Sequence, residues 1–332
     1  MTRTGKQASR LLLLLVGGLS LVLLITACVQ EGSSRPLRRR RAMRGLEELP
    51  LQERALEVKG MRRTFFLYVP PDYQRHQPLP LVLVFHGGRG SGQGVARTSE
   101  FHRLAEREGF LVAYPNGYKK NWNDGRGTTE PEREGIDDVA FVKALIDQLS
   151  REFVIDRQRI YATGISNGGI FSHRLACELA DRLAAIAAVV GPMAAPVASR
   201  CRPARPVAVL GIYGTKDPFI PWEGGTVQGG DRGPILGVQA TMELWAKLNQ
   251  CRRHLPREAL PVRVHDGTRV WKETYTDCNK GTEVVLYVVE GGGHTWPPKQ
   301  YRLRQRITGA SSQNIDATDV IWHFFARHAA VN

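Results

Sequence analysis

Short apolar segments that end in turn residues alternate with amphipathic segments along most of this sequence, and that alternation limits the folds open to it. "RTFFLYVP" and "LPLVLVFHGG" read as strands, and "LVAYPNG" as a third. Between the second and third lies "GVARTSEFHRLAEREGF", which reads as one helix closed by Gly109. "DDVAFVKALIDQLSREF" places Val139, Val142, Leu145, Ile146 and Leu149 on one helical face behind an acidic first turn. After "RIYATGIS" and its helix come the strands "LAAIAAVVG" and "PVAVLGIYG", the helix "ATMELWAKLN", the strand "EVVLYVVEGG" and a last helix through "DATDVIWHFFARH". Such an order predicts an α/β fold: a mostly parallel sheet with helices on both faces. A chain of 332 residues, 42% hydrophobic, fills one large domain of this kind.

The formal charge of +14 suggests a nucleic-acid partner until it is located. Residues 1–44 hold nine Lys/Arg and one acid, a net +8, so only +6 is spread over the remaining 288 residues. The fold itself is therefore not expected to bind nucleic acid. The leader has the parts of an export signal: the basic "MTRTGKQASR", the apolar "LLLLLVGGLSLVLLITA", and small residues before Cys28. Leu24 to Cys28 also resembles the bacterial lipobox, which implies a lipoprotein-type signal over residues 1–27, with cleavage before Cys28 and lipidation there. An uncleaved anchor, or ordinary cleavage beside a bystander cysteine, remains the alternative. Residues 28–55, with Arg38 to Arg41 consecutive and no apolar period, read as a basic tether, and 56–332 as the catalytic domain. The expectation is an exported bacterial lipoprotein held at the membrane through Cys28.

Apart from Cys28 there are four cysteines, an even number suited to an oxidising compartment. None has metal-ligand spacing. Of three pairings, the one with two short loops, Cys177 with Cys201 and Cys251 with Cys278, is preferred, against four buried free thiols.

Gly164-Ile165-Ser166-Asn167-Gly168 is a G-x-S-x-G segment between a strand and a helix. At such a junction a sharp turn exposes the serine Oγ, and a Cβ at either glycine would collide with neighbouring backbone. A serine needs a base, and the base needs an orienting carboxylate. Downstream, "VAVLGIYGTKDPFIP" presents Asp217 just past a strand, and "VVLYVVEGGGHTWP" delivers His294 from a glycine-rich strand end. The order Ser, Asp, His is that of α/β-hydrolases. One oxyanion donor is the Asn167 N–H, and the second is expected from "VFHGGRGSG", with Gly88 ahead of Arg89. His86, His173, His323 and His328 read as structural, and Asp137 with Asp138 as a helix N-cap pair. Tyr114, Tyr118 and Trp122 lie in a long loop past a strand end, and Trp296 follows the base, so Trp122 and Trp296 are candidate substrate contacts.

Taken together, "RTFFLYVPPDY", "LPLVLVFHGG", "NWNDGRG", "DDVAFVKALID", "YATGISNGG", "GTKDPFIPW" and "GGGHTWP" resemble the poly(3-hydroxybutyrate) depolymerase and feruloyl esterase family, particularly its LpqC-like exported esterases. The resemblance runs from about Val58 to the C-terminus. It implies an α/β-hydrolase fold without a large lid and carboxylic-ester hydrolysis through an acyl-enzyme. By position it implies nucleophile Ser166, acid Asp217, base His294, oxyanion donors from Gly88 and Asn167, and a bridge between Cys177 and Cys201. No cofactor or metal and no obligate protein partner is implied. Polymer-degrading members often carry a second, polymer-binding domain, and the chain stops after its last core helix, so small or oligomeric esters are the expected substrates. The rivals are a peptidase or lipase on the same scaffold, and a binding lipoprotein without turnover.

Overall fold

The computed structural model describes residues 50–74, 76–229, 232–299 and 305–330. The expected signal peptide, Cys28 and the Arg38–Arg41 run lie outside the described residues. Twelve strands follow in chain order. β1 (Gln52–Val58), β2 (Met61–Tyr68), β3 (Leu79–Phe85), β4 (Leu111–Pro115), β5 (Ile155–Ile165), β6 (Ala185–Val189) and β7 (Ala208–Gly214) precede a small hairpin of β8 (Gly224–Thr226) and β9 (Pro234–Leu236). β10 (Arg253–Ala259), β11 (Arg269–Thr276) and β12 (Val284–Glu290) complete the set.

Ten of the strands form one sheet in the order β1-β2-β4-β3-β5-β6-β7-β12-β11-β10. The six central strands, β4 to β12 in that order, run parallel, and antiparallel strands extend both edges. Every residue of β3 is buried, because helices cover both faces of the sheet. Alternate side chains divide between the two cores: Leu81, Leu83 and Phe85 face one, Val82 and Val84 the other. The first core receives the helices Asp138–Glu152, Asn167–Glu178 and Val238–Leu248; the second receives Gly92–Ser99, Phe101–Glu108 and Ala317–Ala326. This is the mostly parallel sheet with helices on both faces that the alternation predicts, and the α/β-hydrolase fold that the resemblance implies.

Two expectations need correction. The tether does not extend to residue 55, since β1 begins at Gln52 and pairs with β2 along its whole length. Its polar, half-exposed sequence "QERALEV" hides it as an edge strand. The single helix expected before Gly109 is two, broken at Glu100, whose φ of 51° ends the first helix and starts the second. The polar edge strand β10 and the mixed β11 also went unread in the sequence: β11 is made a strand by antiparallel pairing to β12, and β10 by antiparallel pairing to β11, not by an apolar pattern of their own.

Both preferred disulfides are present. Cys177 in the helix Asn167–Glu178 joins Cys201, and Cys251 joins Cys278. The first ties the helix that follows Ser166 to the crossover after β6, with the cysteines 24 residues apart in sequence. Removing that constraint with Cys177→Ala/Cys201→Ala should lower unfolding stability by about 3 kcal/mol on the chain-entropy argument. Urea unfolding of the oxidised protein beside the variant measures it, and the midpoint should fall without loss of the native circular dichroism.

Candidate active site

β5 runs directly into Ser166, which has φ 56° and ψ −122°, and the helix begins at Asn167. A non-glycine residue at such a φ is strained and persists only where its surroundings hold it. Here Ser166 N–H donates to Val189 O at 2.9 Å, and Ser166 O accepts from Ile170 N–H at 2.9 Å. The flanking glycines make the turn sterically feasible. A Cβ at Gly164 would lie 2.6 Å from the Gly168 carbonyl, and one at Gly168 would lie 2.4 Å from Phe85 O. Being first in its helix, Asn167 has no intrahelical acceptor for its N–H, which is left beside Ser166 with the positive end of the helix dipole.

Asp217 lies just past β7, with its side chain 2% exposed. Its Oδ1 accepts from the N–H groups of Phe219 and Ile220 at 2.8 and 3.0 Å, and its Oδ2 lies 2.7 Å from His294 Nδ1. With the carboxylate as acceptor, Nδ1–H is the donor, so Nε2 is the lone-pair nitrogen. The two loops are sewn together: Lys216 N–H donates to Gly292 O at 2.8 Å, and Phe219 meets the His294 ring edge-on at 5.2 Å. Ser166 and His294 line one cleft of about 540 Å3. No hydrogen bond joins Ser166 Oγ to His294 Nε2, a common looseness in free hydrolases.

The loop after β3 forms the facing wall. A Cβ at Gly87 would sit 3.3 Å from Ser166 Cβ, so this loop touches the serine. His86 shapes it, with Nδ1–H donating to Gly87 O at 2.8 Å and Nε2 accepting from Gly117 N–H at 2.9 Å. Burial lowers the pKa of His86 from 6.5 to about 4, with the Gly87 hydrogen bond opposing, so the ring is neutral. Arg89 N–H reaches Asn121 Oδ1 at 3.4 Å, whereas the exposed Gly88 amide has no main-chain or side-chain acceptor among the described residues.

Trp122 is not in the cleft. It is fully buried, stacks on Phe171 at 5.2 Å and donates from Nε1 to His86 O at 2.9 Å. Tyr114 belongs to β4 and is buried, and Tyr118 donates to Glu134 outside the cleft lining. Of these aromatics, Trp122 supports the loop after β3 from behind. Trp296 does line the cleft, but at 2% exposure, with Nε1 donating to Thr318 Oγ1 at 2.9 Å. Asp137 caps its helix through Ala140 N–H at 2.9 Å, but Asp138 does not share the cap. It is buried and paired with Arg63 at 2.6 Å; burial raises its pKa and the guanidinium opposes the rise.

The family model for esterase PHB depolymerase matches residues 63–207, which include Ser166 and the loop after β3. "Putative esterase NocK" of Nocardia uniformis subsp. tsuyamanensis is 31% identical over 280 residues, covering 82% of this chain and 81% of that protein. The chain belongs to the esterase PHB depolymerase family. As a member it is a carboxylic-ester hydrolase. Feruloyl esterase B of Piromyces equi is 30% identical over 240 residues, 70% of this chain, which spans 42% of that longer protein. The acetyl xylan esterase from Aspergillus awamori shares the fold, with a TM-score of 0.58 at 15% identity over 83% of this chain and 98% of that one.

Sequence reading of this esterase missed the residues that brace the turn from behind. Asn167 Oδ1 accepts from Trp122 N–H at 2.8 Å, and its Nδ2 donates to Asp124 Oδ2 at 2.6 Å. Asp124 is buried with Arg126, at 2.8 Å. The "NWNDGRG" block contained these residues, but nothing in their spacing says that they meet a helix more than forty residues later.

The neutral, buried His86 makes the esterase's stability pH-dependent in a definite direction. Between about pH 6.5 and about pH 4 the unfolded chain binds a proton at this position that the folded chain does not, so stability is full above that window and falls as pH drops through it. Buried His102 and His173, lowered by burial to about 4 and about 3, act in the same sense. Unfolding free energy measured across that range should decline toward acid, and His86→Gln should flatten the decline by close to one proton.

Proposed function

We propose that the protein is an exported serine esterase that works through an acyl-enzyme, with Ser166 as nucleophile, His294 as base and Asp217 orienting the imidazole. The observation that carries this reading is the buried Asp217, 2.7 Å from His294 Nδ1, in a loop whose histidine shares a cleft with a serine held at φ 56°. His294 Nε2 takes the Oγ proton as Oγ attacks the ester carbonyl. The N–H groups of Asn167 and Gly88 receive the negative charge of the tetrahedral oxygen. The imidazolium then protonates the departing alcohol, leaving the acyl group on Ser166. Water, deprotonated by the same nitrogen, releases the acid. The cleft volume suits an ester of modest size, among them feruloyl, acetyl and short hydroxyalkanoate esters.

Export is supported by the leader and by two disulfides, which persist in oxidising compartments. Lipidation of Cys28 would hold the protein on a membrane without a spanning segment, and among the described residues no helix is long and apolar enough to cross one.

A fluorophosphonate should label the wild-type protein and fail to label Ser166→Ala. Ser166→Ala and His294→Ala should each lower kcat for 4-nitrophenyl acetate or methyl ferulate by about 10⁴-fold with native unfolding behaviour. A folded wild-type protein that neither labels nor turns over would defeat the serine mechanism. Cys28→Ser should move the protein from the detergent to the aqueous phase on partitioning; a mature chain that starts elsewhere than at residue 28 would refute the anchor.

A further inference from the structure

The charge of the catalytic cleft is one-sided. Arg89, Lys120 and Lys299 are among its lining side chains, and no carboxylate is, among the described residues. Lys299 is neutralised by Glu100, which lies outside the lining. Arg89 and Lys120 have no ion-pair partner among the described residues, and both are exposed. They come from different loops yet belong to one rim. Arg89 is two residues past Gly87, whose Cβ position touches Ser166, and its N–H reaches Asn121, the neighbour of Lys120 in sequence.

The backbone at the two positions shares a feature with eight other non-glycine residues among those described. Arg89 and Lys120 have φ values of 61° and 66°, in the left-handed region where glycine or asparagine is the easier choice. Each long cationic side chain is thus held on strained backbone at the mouth of the cleft, and such positions gather at ligand-binding sites. Two unpaired cations over a low-dielectric cleft raise the local concentration of anionic substrate and orient it.

We propose that Arg89 and Lys120 select esters that carry a free carboxylate, which they hold while Ser166 attacks the ester carbonyl. This rests on the serine-esterase reading and narrows it to acid-bearing esters, such as half-esters of dicarboxylic acids, over neutral aryl or acetyl esters. An Arg89 fork grips a carboxylate through two parallel N–H donors, and Lys120 adds a point charge beside it.

The test compares mono-(4-nitrophenyl) glutarate, an anion, with neutral 4-nitrophenyl pentanoate, both read by nitrophenol release. The ratio of their kcat/KM values should favour the anion in the wild-type enzyme. It should fall about tenfold in Arg89→Gln/Lys120→Gln, through KM for the glutarate. Without any variant, raising salt from about 0.01 to about 1 M, which shortens the Debye length from about 30 to about 3 Å, should lower the wild-type ratio. Hydrolysis of the neutral ester with a ratio indifferent to both salt and substitution would overturn the proposal alone. Loss of hydrolysis of both esters by folded wild-type protein would overturn it together with the esterase reading.

Discussion

The contact on which the rest of the structure depends is between main chains: the turn at Ser166 lies directly on the end of β3. A Cβ at Gly168 would be 2.4 Å from Phe85 O and 2.6 Å from His86 O, so nothing larger than hydrogen fits between helix and strand. That closeness places the helix N-terminus, the serine and the loop after β3 in one geometry, with two loops facing one another across a single residue. The sheet provides the stiffness. β3 and residues 160–164 of the adjacent β5 are buried on both faces, and neither can shift without disturbing two cores.

Behind the turn, the helix start is braced by polar groups instead of apolar packing. Asn167 bridges to Trp122 and Asp124, Asp124 pairs with Arg126, and Asp138 pairs with Arg63 and accepts from Asn123 N–H at 2.7 Å. Buried ion pairs of this kind add little net stability over apolar replacements, but breaking one partner is costly, because the other charge is stranded. Their effect here is positional. They hold the Asn121–Arg126 segment at one distance from Asn167, and the same segment carries Trp122, which supports His86, and Asn121, which meets Arg89. The aromatics of this loop, expected to meet substrate, stay out of the cleft lining, and Trp122 is packed beneath the loop after β3.

Electrostatics divides the molecule differently from its total charge. Residues 1–44 account for more than half of the formal +14, and three of the remaining cations, Arg89, Lys120 and Lys299, line the cleft that holds Ser166 and His294. A net charge by itself does not say which cations belong to the N-terminal 44 residues and which line the cleft of Ser166. The difference lies in where the cations stand relative to Ser166.

The sequence by itself determined the fold class and the positions of Ser166, Asp217 and His294 past the ends of β5, β7 and β12, because apolar periodicity and glycine placement are local and read along the chain. It also favoured the two short-loop disulfides. What it left hidden depends on distance in sequence. β1 and β10 are strands because a neighbour offers its free edge, and their own polar residues give no such signal. Trp122 looked like a cleft residue because a loop after a strand end is where ligands bind, but only the packing of Phe171 and Phe85 against it shows that it is enclosed. Asp138 looked like half of a cap until Arg63, 75 residues earlier, supplied its partner. Burial and pairing are properties of the folded neighbourhood, and a linear pattern reports only what each residue could do if its neighbours allowed it.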